Sequence, residues 1–197
     1  MKTLRHFIVR VEKRFEDTID VGGQELYLDS KFNEFQHRIA YGEIKVAPSR
    51  GEHGAQAGDT LFFHHHVIMN VQMSMGGGDY LCEYEPDSFH SPQHAIAYRS
   101  KDTGEIHMLN DWVFVEPVSG PTGDIVSDAG IVLEVGVERI RKDVAKVVVP
   151  NEELKWMGVK EGDVVGFDKN SDYKIKLDDG AVVYRMKADD ISYVEEA

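Results

Sequence analysis

"KEGDVVGF", residues 160–167, restates the stretch "QAGDTLFF", residues 56–63: a polar lead-in, a Gly-Asp pair and a run of strand-forming residues. Gly-Asp is turn chemistry, since glycine reaches positive φ freely and aspartate bonds its own backbone, whereas Val, Thr and Phe favour pleated strands. The two copies lie 104 residues apart, and similar spacings recur on either side. "LRHFIVRVE" (4–12) matches "LNDWVFVEP" (109–117) at an offset of 105, each with a leucine, a polar pair and an apolar run. The same offset carries Leu26, Tyr27 and Leu28 of "GGQELYLDS" onto Ile131, Val132 and Leu133 of "SDAGIVLEVG". "AIAYRSK" (95–101) matches "AVVYRMK" (181–187) at an offset of 86, which assigns the first copy 18 extra residues, 104 minus 86, between Phe63 and Ala95. Four blocks in one order divide the chain into halves, 1–107 and 108–197, the first with an inserted hairpin at about 68–94.

Neither half contains a long amphipathic helix pattern. Valine-rich runs such as "WVFVEPV", "AKVVVP" and "AVVYRM" stand between Gly, Pro, Asp and Asn punctuation, the pattern of short strands. "KLDDGAVV" sets Asp179-Gly180 between strand-like flanks, which predicts a hairpin. "NEELKWMGV" (151–159) allows one helical turn. The expected fold is all-β, as two tandem small β-barrels.

Composition narrows the function. The chain has 197 residues, 42% hydrophobic, and 35 acidic against 22 Lys and Arg give a net charge of −13. A surface of that sign repels nucleic acid and anionic membrane, so neither is expected as a partner. Cys82 is the only cysteine, so no disulfide framework and no CxxC metal motif exists. "MKTLRHFIVRVEKRFED" lacks the apolar core of a signal peptide, and no run of about 18 apolar residues follows. The expected location is cytoplasmic.

Three aliphatics in a row, Ile131–Leu133, lie downstream of "VSGPTGD" (118–124), which reads as a loop. They are either a short strand reaching a core or apolar bait held out for a partner. The ordered, duplicated blocks resemble the GroES co-chaperonin family. "LNDWVFVEP" is similar to that family's first strand, "SDAGIVLEVG" to its mobile loop, "GVKEGDVVGF" to its Gly-Asp turn and "ADDISYVEEA" to its last strand. The resemblance covers nearly all of 109–197 and, more loosely, the first half. It implies two GroES-like barrels in a homo-oligomeric ring that caps a GroEL-type chaperonin and assists protein folding in the closed chamber. It also implies no catalysis, cofactor or metal of the chain's own. Ile131, Val132 and Leu133 would then be the chaperonin-binding hook, and Leu26, Tyr27 and Leu28 its counterpart by position. Segments 15–30 and 118–135 would stay mobile until a partner docks. The sequence departs from the family in its short roof segments, 49–57 and 151–161, in the charged and aromatic stretch 31–44, and in the fusion itself.

"LFFHHHVIMNVQMSMGGGDYLCEYEP" (61–86) carries a different signal. Val67, Met69, Val71, Met73 and Met75 alternate, which predicts a strand, with a turn at Gly76-Gly77-Gly78 and a partner strand after it. On that period His64 and His66 share one face, the basis of an alternative: a metal-dependent β-barrel enzyme. Asn70 stands where a cupin-type site needs a glutamate, so solvated or hydrogen-bonded histidines are the expectation. GroES-like barrels also occur in zinc alcohol dehydrogenases, but their GxGxxG half and cysteine ligands are absent here. A structural barrel without a chaperonin partner is the third reading.

Overall fold

The computed structural model describes residues 1–15, 18–27, 38–84, 93–126 and 132–195. Two units form: residues 1–110 with 175–182, and 111–174 with 183–197. The division at 110/111 falls three residues beyond the expected 107/108, and the tip of one later hairpin groups with the first unit.

The chain is built of β-strands joined by antiparallel pairing. In the first unit they are β1 (His6–Arg10), β2 (Thr18–Val21), β3 (Gln24–Tyr27), β4 (Tyr41–Val46), β5 (Thr60–Phe63), β6 (Ser74–Gly76), β7 (Asp79–Glu83), β8 (Ala95–Arg99) and β9 (Ile106–Met108), with a short helix α1 (His66–Met69) after β5. Seven of them form a sheet in the order β6-β7-β1-β4-β5-β8-β9, while among the described residues β2 and β3 pair only with each other. The rest are β10 (Trp112–Val126), β11 (Val132–Val149), α2 (Glu152–Trp156), β12 (Val164–Phe167), β13 (Tyr173–Lys176), β14 (Val182–Lys187) and β15 (Ile191–Val194). Their sheet runs β13-β14-β10-β11-β12-β15.

These two orders are one plan used twice. β1 pairs β4 with Ile8 opposite Val46 and Val9 opposite Ile44, and the register slips between Ile8 and Val9. β10 pairs β11 with Phe114 opposite Val149 and Val115 opposite Val147, and slips between Phe114 and Val115. The Gly-Asp turns repeat bond for bond. Asp59 Oδ2 accepts from Gln56 N–H at 2.7 Å and Asp163 Oδ2 from Lys160 N–H at 2.8 Å. Gly58 and Gly162 stand at φ +94° and +92°, a region a side chain would strain. The cores match as well: Phe7, Val9, Ile44, Leu61 and Cys82 in one unit answer Val113, Val115, Val147, Val165 and Met186 in the other, all buried.

Strand pairing relates the later blocks differently from the sequence match. β7 lies on β1 with Tyr80 opposite Val9, as β14 lies on β10 with Tyr184 opposite Val115. β8 lies on β5 as β15 lies on β12. In space "AVVYRMK" therefore answers "DYLCE" (79–83), not "AIAYRSK", and the 68–94 stretch contains the counterpart of the β13–β14 hairpin. The misleading match arose from a Tyr-Arg pair that β8 and β14 happen to share.

Two local expectations change. Residues 67–75 are not one strand: α1 ends at Met69, a 3₁₀ turn spans Val71–Met73 and β6 is short. Burying the consecutive Val67 and Ile68 on one side requires a helical turn, which an alternating strand cannot supply. Neither sheet closes into a barrel among the described residues, since each order ends in two edge strands. Closure of the first would require β6 to meet β9, and each is only three residues long. No helix of the described residues is long and apolar enough to cross a membrane.

Candidate docking site

Each sheet sends out a hairpin at the same point of the plan, between its first strand and the strand that pairs with it. In the first unit this is β2–β3, with Ile19 opposite Leu26 and Thr18 opposite Tyr27. Gly22 and Gly23, at φ +63° and +84°, make the two-residue turn, which demands left-handed backbone at both positions. Among the described residues no third strand joins this pair, and Leu26, Tyr27 and Val21 are 47%, 87% and 53% exposed.

The second hairpin is the outer part of β10 and β11. β14 reaches only Trp112–Val115 and β12 only Val144–Lys146, so pairs such as Ser119–Ile140 and Val126–Val132 form a two-stranded arm beyond the sheet. Pro117 and Pro121 are tolerated on β10 because, among the described residues, it pairs only with β11 beyond Val115. At the root the register slips between Pro117 and Ser119, and Asp143 takes the left-handed conformation at φ 60°. Next to it Arg141 forms a two-pronged ion pair with Glu195, just past β15, with Nη1 donating to Oε2 at 3.0 Å. That guanidinium holds the Glu195 carboxyl below its usual range.

The structure thus sets Leu26 and Tyr27 on β3, and Val132 and Leu133 at the start of β11 beside the arm's tip. Ile131 and Leu28 lie outside the described residues. The segments expected as loops are paired strands where they are described. Sequence reading missed the Arg141–Glu195 clamp, whose partners are 54 residues apart with no motif joining them. It also missed Val21, whose exposure depends on the hairpin standing alone. His64 and His66 leave β5 for a loop and α1 instead of lining a strand face.

No protein-family model matches the chain, and no curated protein sequence matches it.

Proposed function

We propose that this chain is a tandem co-chaperonin of the GroES type, which caps a GroEL-type chaperonin through apolar residues of its two hairpins and performs no chemistry itself. The observation that carries this reading is the repeated arm: two unsupported hairpins, at one position of a duplicated sheet plan, each bearing a bulky apolar triplet in sequence. An isolated two-stranded hairpin is marginal in water, so a chain that retains two of them has a use for what they present. On this reading the open sheets are the counterparts of GroES-like barrels, and several chains assemble into a ring.

The energetics suit a lid that must come and go. Burying one Val, Leu or Ile side chain yields about 1.5–3 kcal/mol, and strand pairing lowers the ordering entropy lost on docking. A single hook is still weak, whereas several on one ring gain through effective concentration. The net charge of −13 favours solubility of a chain that offers apolar groups to a partner.

The test is migration of the purified chain with a GroEL-type chaperonin on size-exclusion chromatography. Co-migration with ATP present and separation without nucleotide is the expected result. Separate elution under both conditions removes the reading.

A further inference from the structure

His64, His65 and His66 follow β5 directly. In an extended strand their rings would alternate between faces, but His65 turns into the helical region (φ −55°, ψ −20°) and α1 begins at His66. The turn gathers all three imidazoles. Ring centroids lie 4.2 Å apart for His64–His65, 4.4 Å for His64–His66 and 4.5 Å for His65–His66. One ring nitrogen from each lies within 4.8 Å of the other two.

The gathering is anchored on both sides. His64 N–H donates to the His94 carbonyl at 2.8 Å, and Val67 N–H donates to the His64 carbonyl at 3.0 Å. Val67 and Ile68, fully buried, fix the helix that carries His66. His66 itself is exposed, which leaves an entry from solvent. His94, whose carbonyl holds His64, is itself 4% exposed, and its Nδ1 has no hydrogen-bond partner among the described residues.

We propose that His64, His65 and His66 form a binding site for one divalent transition-metal ion of the zinc class. Imidazole nitrogens select zinc, copper, nickel and cobalt over the hard ions calcium and magnesium. Three neutral imidazoles leave a fourth position for water. Metal–nitrogen bonds of about 2.0–2.1 Å require the three donor atoms to close to about 3.4 Å, a movement of about 1 Å that side-chain rotation supplies. One bond at the His64 ring is long, since His64 Nδ1 accepts the His66 N–H at 3.3 Å. Neither hairpin is involved, so the site stands or falls apart from the docking proposal.

Titration calorimetry of the full-length chain, without an affinity tag, tests the site with ZnCl2, NiCl2 and MgCl2. Expected are one Zn²⁺ and one Ni²⁺ bound per chain, no response to Mg²⁺, and tetrahedral absorption bands with CoCl2. Both His64→Asn/His66→Asn and the single exposed-site variant His66→Gln should weaken Zn²⁺ binding at least tenfold with an unchanged metal-free unfolding temperature. His107→Asn, at another partly exposed histidine of the unit, should leave binding intact. No Zn²⁺ binding, equal binding by His66→Gln, or equal losses in His107→Asn and His66→Gln would overturn the proposal.

Discussion

Arg185 is a buried cation held between two rings, 4.8 Å above Trp112 and 4.7 Å above Tyr173. Burial is the largest influence on it and lowers its pKa to about 10, so desolvation opposes the charge while the aromatic faces support it. Lys187 also lies over the Trp112 ring, at 3.8 Å, and forms an ion pair with Asp111. The indole thus carries the arrangement. Trp112→Ala is expected to cost about 3–5 kcal/mol in chemical denaturation, as for other buried aromatics. Arg185→Leu, which installs the residue found at the matching position Leu81 of the first unit, is expected to change stability by less than about 1 kcal/mol, because a lost cation–π pair offsets a removed desolvation cost. A larger loss for Arg185→Leu than for Trp112→Ala would reverse the assignment. Gly42 offers a second check. A Cβ there would sit 2.5 Å from the Arg10 carbonyl oxygen, which belongs to the paired strand β1 and cannot rotate away. Gly42→Ala is expected to lower stability by about 1–3 kcal/mol.

The arm is governed by its root. Glu195 titrates below its ordinary value of 4.5 in the folded chain, chiefly through its hydrogen bond from Arg141. A carboxyl with a depressed folded pKa contributes stability that is fully present above its unfolded pKa and lost as pH falls through the folded one. Wild type and Glu195→Gln should therefore differ in unfolding midpoint at neutral pH and converge as pH falls below 4.5. A difference that persists in acid would show the ion pair to be irrelevant. The arm also marks what the sequence conceals. Short strands with a one-face alternation, such as β4 and β7, are legible because one side of each is buried. "VSGPTGD" reads as a loop, since its strand character comes only from pairing with 132–143, a partner that local composition cannot announce. The Gly-Asp turns were legible for the opposite reason, since each aspartate closes its turn on a backbone N–H three residues earlier. The histidine triplet was half legible: its residues stand out, but its convergence depends on α1 replacing a strand that the alternating methionines predict.

At the scale of the molecule, the duplicated plan leaves each sheet with open edges. Each sheet ends in strands with one neighbour, β6 and β9 in one, β13 and β15 in the other, and such edges invite pairing with further chains. A ring of several chains is expected by sedimentation at micromolar concentration in physiological salt, and a monomer there would contradict it. Two units per chain also give every closed ring an even number of hairpins, so a sevenfold chaperonin could not engage all of them equally. The second hairpin is expected to dominate, because Ile-Val-Leu is wholly aliphatic where Leu-Tyr-Leu is interrupted by a phenol.

Chaperonin capture by the variant Ile131→Asp/Leu133→Asp probes the docking role of the arm. Residues 132 and 133 lie in the arm, away from the parts of β11 that β12 joins, so the sheet should retain its unfolding temperature and the oligomer its size. Charge placed in an apolar groove adds desolvation to the loss of both anchors, at about 1.5–3 kcal/mol each per hook. The predicted result is a folded oligomer that no longer co-migrates with chaperonin and ATP, with a smaller loss for Leu26→Asp/Leu28→Asp. A folded Ile131→Asp/Leu133→Asp variant that still binds, or one that loses its fold together with binding, would contradict the docking role of the arm.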